Sequence, residues 1–111
     1  MERYNNPLAI EPSRGEIDSI EKPLVIEFGT DWCGYCIAAQ SLIASALFLH
    51  PQIRHIRIED GPGRRLGRSF RVKLWPTLIF VRQGQEVERL VRPADARIIE
   101  QALGRIAQGA E

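Results

Sequence analysis

The sequence predicts an α/β domain in which a central mixed sheet of about four to five strands carries helices on both faces. The first observation is the short run Leu24–Phe28, which is largely apolar and does not alternate, as is typical of a central strand covered on both sides. The second is that strand-like and helix-like patterns then alternate along the chain. The third is the turn Gln83–Gln85, which joins the last two strand-like runs into a hairpin.

The length and composition indicate a single domain over residues 1–111. Hydrophobic residues make up 44% and charged residues 26% of the chain, which argues against disorder, collagen and coiled coils. The net charge of +1 gives no electrostatic reason to bind nucleic acid or an acidic membrane, and no apolar stretch is long enough to span a bilayer. Residues 1–7 do not resemble a signal peptide, so we expect a cytoplasmic protein, or a periplasmic one if a leader was removed. We also expect a monomer.

The first 20 residues are expected to form an arm and a short helix. Prolines favour an extended conformation over residues 1–13. The segment Ser13–Ile20 begins with a serine that is followed three residues later by Glu16, which is the pattern of a capping box.

The later elements each have their own pattern. The helix Gly34–Leu49 repeats apolar residues at helical spacing and ends before Pro51. The strand Ile53–Glu59 alternates, so that His55 and Arg57 share one face. The remaining expected elements are the helix Arg64–Phe70, the strands Thr77–Val81 and Val87–Val91, and a last helix from Pro93 through Ile106. Helices between strands predict parallel pairing, and the hairpin adds an antiparallel edge.

Cys33 and Cys36 are the only cysteines, and they lie between the first strand and the long helix. Two cysteines are too few for a disulfide scaffold. A Cys-x-x-Cys pair at this place puts the first sulfur at the helix N-terminus, where unpaired backbone N–H groups stabilise a thiolate. We therefore expect Cys33 to be exposed and to attack a target disulfide. Cys36 is expected to be covered and to release the mixed disulfide.

The cysteine pair has two other interpretations. The spacing Cys-x2-Cys-x13-His-x4-His, which ends at His50 and His55, matches a zinc-finger template. A finger needs both histidines on one helix face, and Pro51 interrupts the helix between them, so no metal site is expected. In the other interpretation, the two cysteines are simply small apolar residues of the core. The order of strand, Trp32, cysteine pair and helix disfavours this interpretation.

The chain resembles the thioredoxin family from about Leu24 to Leu103. Residues 25–28 (Val-Ile-Glu-Phe) followed by residues 31–36 (Asp-Trp-Cys-Gly-Tyr-Cys) are similar to the family's strand and active-site motif. Residues 75–77 (Trp-Pro-Thr) resemble the family's Ile-Pro-Thr, in which the proline is cis. The resemblance implies a thioredoxin fold.

The resemblance also implies an activity and a set of site residues. The implied activity is that of a thiol–disulfide oxidoreductase that reduces protein disulfides without a cofactor, with a reductase or another thiol donor as its electron source. Cys33 is the implied nucleophile and Cys36 the implied resolving cysteine. Pro76 is implied to stack near the disulfide, and the backbone of Trp75 to pair with an extended substrate peptide. Trp32 is implied to shield the cysteine pair.

Glu27 is a carboxylate inside an apolar strand, where its charge is costly unless it is paired. The resemblance aligns it with the buried acid of thioredoxins and implies a proton acceptor for Cys36; a solvent-facing edge position is the alternative. His55 aligns with the lysine that faces this acid, so a contact between Glu27 and His55 competes with a separate core or surface position. Burial near Cys36 predicts that Glu27→Gln slows resolution and stabilises the fold at neutral pH.

Departures from the family pattern keep other functions open. Gly34–Tyr35 between the cysteines is similar to the dipeptide of disulfide isomerases, and the first alternative is an oxidase or isomerase of an oxidising compartment. Arg92–Pro93 stands where the family has a Gly-Ala pair beside the substrate groove, and Trp75 is far larger than isoleucine. The second alternative is a binding module that uses the groove at Trp75 and Pro76 without turnover.

A basic cluster precedes this groove in the sequence. Its members are Arg64, Arg65, Arg68 and Arg71. They form either a solvated helix face or a site for an acidic partner or a phosphate.

Overall fold

The computed structural model of the protein describes residues 5–107. The predicted arm is therefore seen only from Asn5 onward, because residues 1–4 lie outside the described part. The helices are α1 (Arg14–Asp18), α2 (Gly34–Phe48), α3 (Arg65–Ser69) and α4 (Ala96–Ala107), and the strands are β1 (Leu24–Gly29), β2 (Arg54–Glu59), β3 (Thr77–Arg82) and β4 (Gln85–Val91). Their order along the chain is the predicted one.

The strands form one mixed sheet in the order β2-β1-β3-β4. β1 is central and pairs in parallel with β2, in a register that places Val25 opposite His55 and Glu27 opposite Arg57. The N-terminal arm runs along the outer edge of β2, where Pro7 forms a parallel bridge with Arg57. The mixed α/β sheet with four strands confirms the predicted fold class.

One predicted pairing is wrong. β3 runs antiparallel to β1, with Thr77 opposite Phe28, although a helix lies between β2 and β3. The five-residue helix α3 rises about 7.5 Å, whereas a six-residue strand spans about 20 Å. The connection therefore leaves the chain at the end of the sheet where β2 finished, and β3 has to run back. A parallel crossover needs a helix that returns the chain along the whole strand.

Helices cover both faces of the sheet, as predicted. On one face α2 and α4 pack against Val25, Leu78 and Phe80. On the other face the apolar side chains of α1 and α3 meet those of the strands, namely Ile17, Leu66, Leu24, Ile26, Phe28, Ile56, Ile58, Ile79 and Val81. Side chains alternate along a strand, so Glu27 shares the face of Val25 and looks toward α2. This alternation brings a carboxylate under the start of α2.

Helix α1 carries the predicted capping box. The Glu16 backbone N–H donates to Ser13 Oγ at 3.0 Å, and the Ser13 N–H donates to Glu16 Oε1 at 2.8 Å. The helix is shorter than the predicted segment and ends at Asp18.

Over residues 5–107, none of the helices has the length and apolar character needed to cross a membrane.

Candidate active site

The two cysteines occupy the first turn of α2. Cys33 is the N-cap, and its Sγ accepts the backbone N–H of Cys36 at 3.2 Å. Both thiols are free. The prediction that Cys33 is exposed is wrong, since it is only 8% exposed against 1% for Cys36. The cause is the loop before β3, which brings the Trp75 carbonyl to 3.9 Å from Cys33 Sγ.

Burial decides the protonation state of Cys36. Loss of water around its sulfur, reinforced by a hydrogen bond with Cys33, raises the pKa of Cys36 from 9.0 to about 12. The backbone of Thr30 acts in the opposite direction through a hydrogen bond, and the charge of Glu27 raises the pKa further. Cys36 is therefore a neutral thiol at pH 7 and has to lose a proton before it can attack.

Gly29 lets the Cys36 sulfur fit against β1. A Cβ atom at Gly29 would lie 2.6 Å from Cys36 Sγ, which is far inside van der Waals contact. The same Cβ would lie 4.0 Å from the Cα of Pro76. The end of β1, the Cys36 sulfur and the loop before β3 therefore meet at one point, where a side chain at position 29 has no room.

Glu27 is buried and has two partners. Its side chain is 2% exposed, with Oε1 3.0 Å from His55 Nε2 and Oε2 3.6 Å from Arg57 Nε. Of the alternatives left open for His55, the structure shows the contact with Glu27, and the solvent-facing alternative for Glu27 is wrong. The parallel register between β1 and β2 creates this cluster, because it places both partners beside the carboxylate.

The N-terminal arm completes the cluster around His55. The Asn5 side-chain amide donates to the His55 backbone carbonyl at 2.7 Å and lies 3.3 Å from His55 Nδ1. An amide nitrogen can only donate, so Nδ1 accepts and Nε2 of His55 donates to Glu27. Arg57 in turn donates to the Asn5 carbonyl at 3.0 Å and lies 3.6 Å from Asp31. Arg57 thus connects the buried Glu27 carboxylate to the exposed carboxylate of Asp31.

Sequence reasoning identified one of these partners and missed two. The alternation of β2 already placed Arg57 on the face of His55, so a signal for its contact with Glu27 existed. Nothing in the sequence pattern pointed to Asn5, because its role depends on where the arm lies across β2.

The loop before β3 forms the other wall of the site. The Trp75–Pro76 peptide bond is cis, as the resemblance implied, and Pro76 is buried. Trp32 is 74% exposed and packs edge-on against Trp75, with ring centroids 5.7 Å apart at 81°. The two indoles therefore flank the entrance to Cys33.

Arg92 reaches over the same loop. Its Nε donates to the Trp75 carbonyl at 2.8 Å, and its guanidinium carbon lies 3.8 Å from the centre of the Tyr35 ring. Its backbone N–H donates to the Pro76 carbonyl at 2.9 Å, and its φ of 51° is in the left-handed region. The sequence placed Arg92 beside the groove but gave no sign that its side chain crosses it.

The histidines of the zinc-finger spacing face different partners. His50, just after α2, has its Nε2 3.2 Å from Glu100 of α4, whereas His55 of β2 contacts Glu27 of β1. Between residues 5 and 107 no group of three or more histidine, cysteine or carboxylate side chains is arranged to hold a metal.

Comparison with known proteins gives a consistent result. The Thioredoxin family model matches residues 11–105. Thioredoxin 2 from Pseudomonas aeruginosa PAO1, solved in its reduced form, is 50% identical with a TM-score of 0.84, over 95% of this chain and 97% of that one. The H-type thioredoxin of Fagopyrum esculentum is 26% identical over 63% of this chain and 60% of its own length. Thioredoxin-1 of Caenorhabditis elegans is 30% identical over 63% and 61%. The matched region thus spans about three fifths of these two relatives.

Proposed function

The chain belongs to the thioredoxin family of thiol–disulfide oxidoreductases, and on that premise we propose that it reduces protein disulfides through Cys33 and Cys36. The observation that carries the proposal is the difference between the two sulfurs. Cys33 Sγ caps the N-terminus of α2 and accepts the backbone N–H of Cys36 at 3.2 Å, whereas Cys36 is held as a buried neutral thiol with a pKa of about 12.

The reaction proceeds in two exchanges. The Cys33 thiolate attacks one sulfur of a substrate disulfide, so that a mixed disulfide forms and the other substrate sulfur leaves and takes up a proton. Cys36 then loses its proton and attacks Cys33 Sγ, which forms the Cys33–Cys36 disulfide and releases the second substrate sulfur. The substrate gains two electrons and the protein loses two. A thiol donor, such as a reductase, returns them.

Glu27 is the proposed proton acceptor for Cys36. Its location on the α2 side of β1 supports this role, and so does its charge, which is one of the causes that raise the pKa of Cys36. His55 and Arg57 stabilise the charged carboxylate before the proton arrives. The proton reaches Glu27 directly or through a water molecule.

Trp75 and Pro76 are the proposed binding surface for the substrate, and Trp32 shields the mixed disulfide. An extended peptide that pairs with the Trp75 backbone would place its cysteine beside Cys33, since the Trp75 carbonyl is 3.9 Å from Cys33 Sγ. We further propose that the protein acts as a monomer in the cytoplasm, where thiol donors are kept reduced.

The experiment is insulin reduction with dithiothreitol, using each cysteine variant as the control for the other. We expect Cys33→Ser to abolish turnover and to form no mixed disulfide. We expect Cys36→Ser to abolish turnover but to accumulate a mixed disulfide that mass spectrometry detects. Wild-type protein that binds insulin without reducing it would contradict the proposal and leave a binding module.

A measurement of the redox potential decides the direction of the reaction. A potential of about −270 mV is that of a reductase, and a potential of about −180 mV is that of an isomerase.

A further inference from the structure

A cationic pocket lies next to the cysteine site. It is an open cavity of about 260 Å³ between α3 and the loop before β3. Three basic side chains line it, namely Arg64, Arg68 and Lys73, together with the Asp60 carboxylate and the Trp75 side chain. We call this cavity the cationic pocket.

The acidic groups near the pocket are already engaged. Asp60 Oδ2 accepts the Trp75 indole N–H at 2.9 Å, and Glu59 forms an ion pair with Arg64 at 3.3 Å. Arg68 and Lys73 are exposed, and within residues 5–107 neither has a carboxylate in ion-pair distance. Two positive charges therefore face solvent beside a wall that the site shares.

Trp75 is that shared wall. Its indole is fixed by Asp60 on the pocket side, and its carbonyl lies 3.9 Å from Cys33 Sγ on the site side. Arg92 adds a further cation on the opposite side of the groove, where its guanidinium holds the same carbonyl. A polypeptide bound at Trp75 therefore passes between positive charges.

The charge is concentrated in this part of the chain. Residues 59–75 contain five basic and two acidic residues, which is a net charge of +3. The whole chain has 15 basic and 14 acidic residues, so the remaining residues have ten basic and twelve acidic ones, a net charge of −2. The segment that lines the cationic pocket is thus positive, whereas the rest of the chain is slightly negative.

We infer that the cationic pocket selects disulfide-containing proteins that carry acidic side chains close to the reactive cysteine. The inference rests on the proposed reduction of protein disulfides and names the substrate class. An extended strand advances about 3.3 Å per residue, so a carboxylate about two or three residues from the cysteine reaches the pocket across Trp75. Opposite charges accelerate encounter and fix the register of the bound strand.

The test compares two synthetic peptides with the same intramolecular disulfide. One carries glutamate and the other lysine two and three residues from the cysteine. We expect the wild-type protein to reduce the glutamate peptide with a kcat/KM about tenfold higher at low salt, and the ratio to fall as salt rises. The double variant Arg68→Glu with Lys73→Glu is expected to lose or invert this preference. Reduction of hydroxyethyl disulfide, which is small and uncharged, is expected to stay at the wild-type rate.

The matched control is Lys22→Glu with Arg97→Glu, which makes the same change of net charge at exposed positions outside the pocket. It is expected to keep the preference. If the double variant does not fold, Lys73→Gln alone is expected to lose about half of the preference.

Two results overturn the inference while the proposed function stands: equal rates on the two peptides, or a preference that survives in the pocket variants. If neither peptide nor hydroxyethyl disulfide is reduced, the proposed function fails as well.

Discussion

The two sides of the cysteine pair hold charge in different ways. Under Cys36, Glu27 is buried and each of its oxygens faces a cationic or donor group, at 3.0 Å from His55 and 3.6 Å from Arg57. Beside Cys33, the side chains of Arg68 and Lys73 lie on the surface with no carboxylate in reach among the described residues. Buried charges have to be paired, so the first side is suited to fixed chemistry. Exposed charges keep their hydration until a partner arrives, so the second side is suited to recognition.

The largest difference that this comparison predicts is between the two thiols themselves. A thiol with a pKa of about 12 is ionised in about one molecule in 10⁵ at pH 7. We expect iodoacetamide to modify Cys33 of the reduced protein at least about 10²-fold faster than Cys36, followed by mass spectrometry of the peptides. In urea the two rates should become similar. Equal rates in the folded protein would show that burial does not suppress the ionisation of the Cys36 thiol.

The next largest effect is expected from Glu27→Gln. Loss of the proposed proton acceptor should slow resolution of the mixed disulfide by about 10²-fold, in the range of general base catalysis. The expected gain in stability at neutral pH no longer holds, since the carboxylate has partners. Removing it leaves Arg57 buried beside a neutral amide, so we expect the free energy of unfolding to fall by about 1–3 kcal/mol in urea titration.

The control for this variant is Glu21→Gln, which removes a carboxylate at an exposed position. It should change neither the resolution rate nor the stability. If Glu27→Gln resolved the mixed disulfide at the wild-type rate, the buried side would be structural and the proton would leave Cys36 by another route.

Cys36 also makes the stability of the reduced protein depend on pH. Its pKa is 9.0 as a free thiol and about 12 in the fold, so above about pH 9 the unfolded chain releases a proton that the folded protein keeps. Unfolding therefore becomes easier as pH rises. We expect the wild-type free energy of unfolding, relative to that of Cys36→Ala, to fall by about 1 kcal/mol between pH 8.5 and pH 10. If the difference in unfolding free energy between wild type and Cys36→Ala did not change with pH, the Cys36 thiol would be exposed to water.

The buried side was largely predictable from the sequence. Burial of Glu27 follows from its place in an apolar strand. Its contact with His55 was one of the alternatives that the family resemblance offered, and the parallel register of β1 and β2 brings the two side chains together. Cys36 was expected to be covered, and it is buried on the same face of α2 as Ala39 and Ile43. Each of these features depends on a local period and one register, and such periods are visible in a single sequence.

The exposed side was not predictable in the same way. The contact of Arg92 with the Trp75 carbonyl joins positions 17 residues apart through a long side chain, and no period encodes it. The hydrogen bond from the Trp75 indole N–H to the Asp60 carboxylate depends on Gly67, because any side chain at position 67 would collide with that carboxylate. The burial of Cys33 had the same origin, since the loop that covers it comes from a distant segment.

The smallest expected effect tests whether Arg92, on the exposed side, limits peptide binding at the Trp75 carbonyl. Arg92 Nε occupies the Trp75 carbonyl at 2.8 Å, and the substrate backbone is proposed to pair there. Arg92→Gly frees that carbonyl, and we expect the KM for the lysine peptide to fall about two- to tenfold, the equivalent of one hydrogen bond. For the glutamate peptide the gain should be cancelled or reversed, because the guanidinium that would bind its carboxylate is also lost.

Arg92 has a φ of 51°, and glycine at position 92 relieves the strain of this left-handed backbone conformation. A change in stability therefore has to be separated from a change in binding. Gln83 has a φ of 52° in the turn between β3 and β4, and Gln83→Gly relieves the same conformation at a position that lines neither the groove nor the cationic pocket. Gln83→Gly should gain up to about 1 kcal/mol in the free energy of unfolding, and Arg92→Gly should gain less, because it also loses the hydrogen bond to the Trp75 carbonyl. Only Arg92→Gly should shift KM. If KM falls equally for both peptides in Arg92→Gly, then Arg92 blocks the groove without reading charge. Recognition would then rest on the cationic pocket alone.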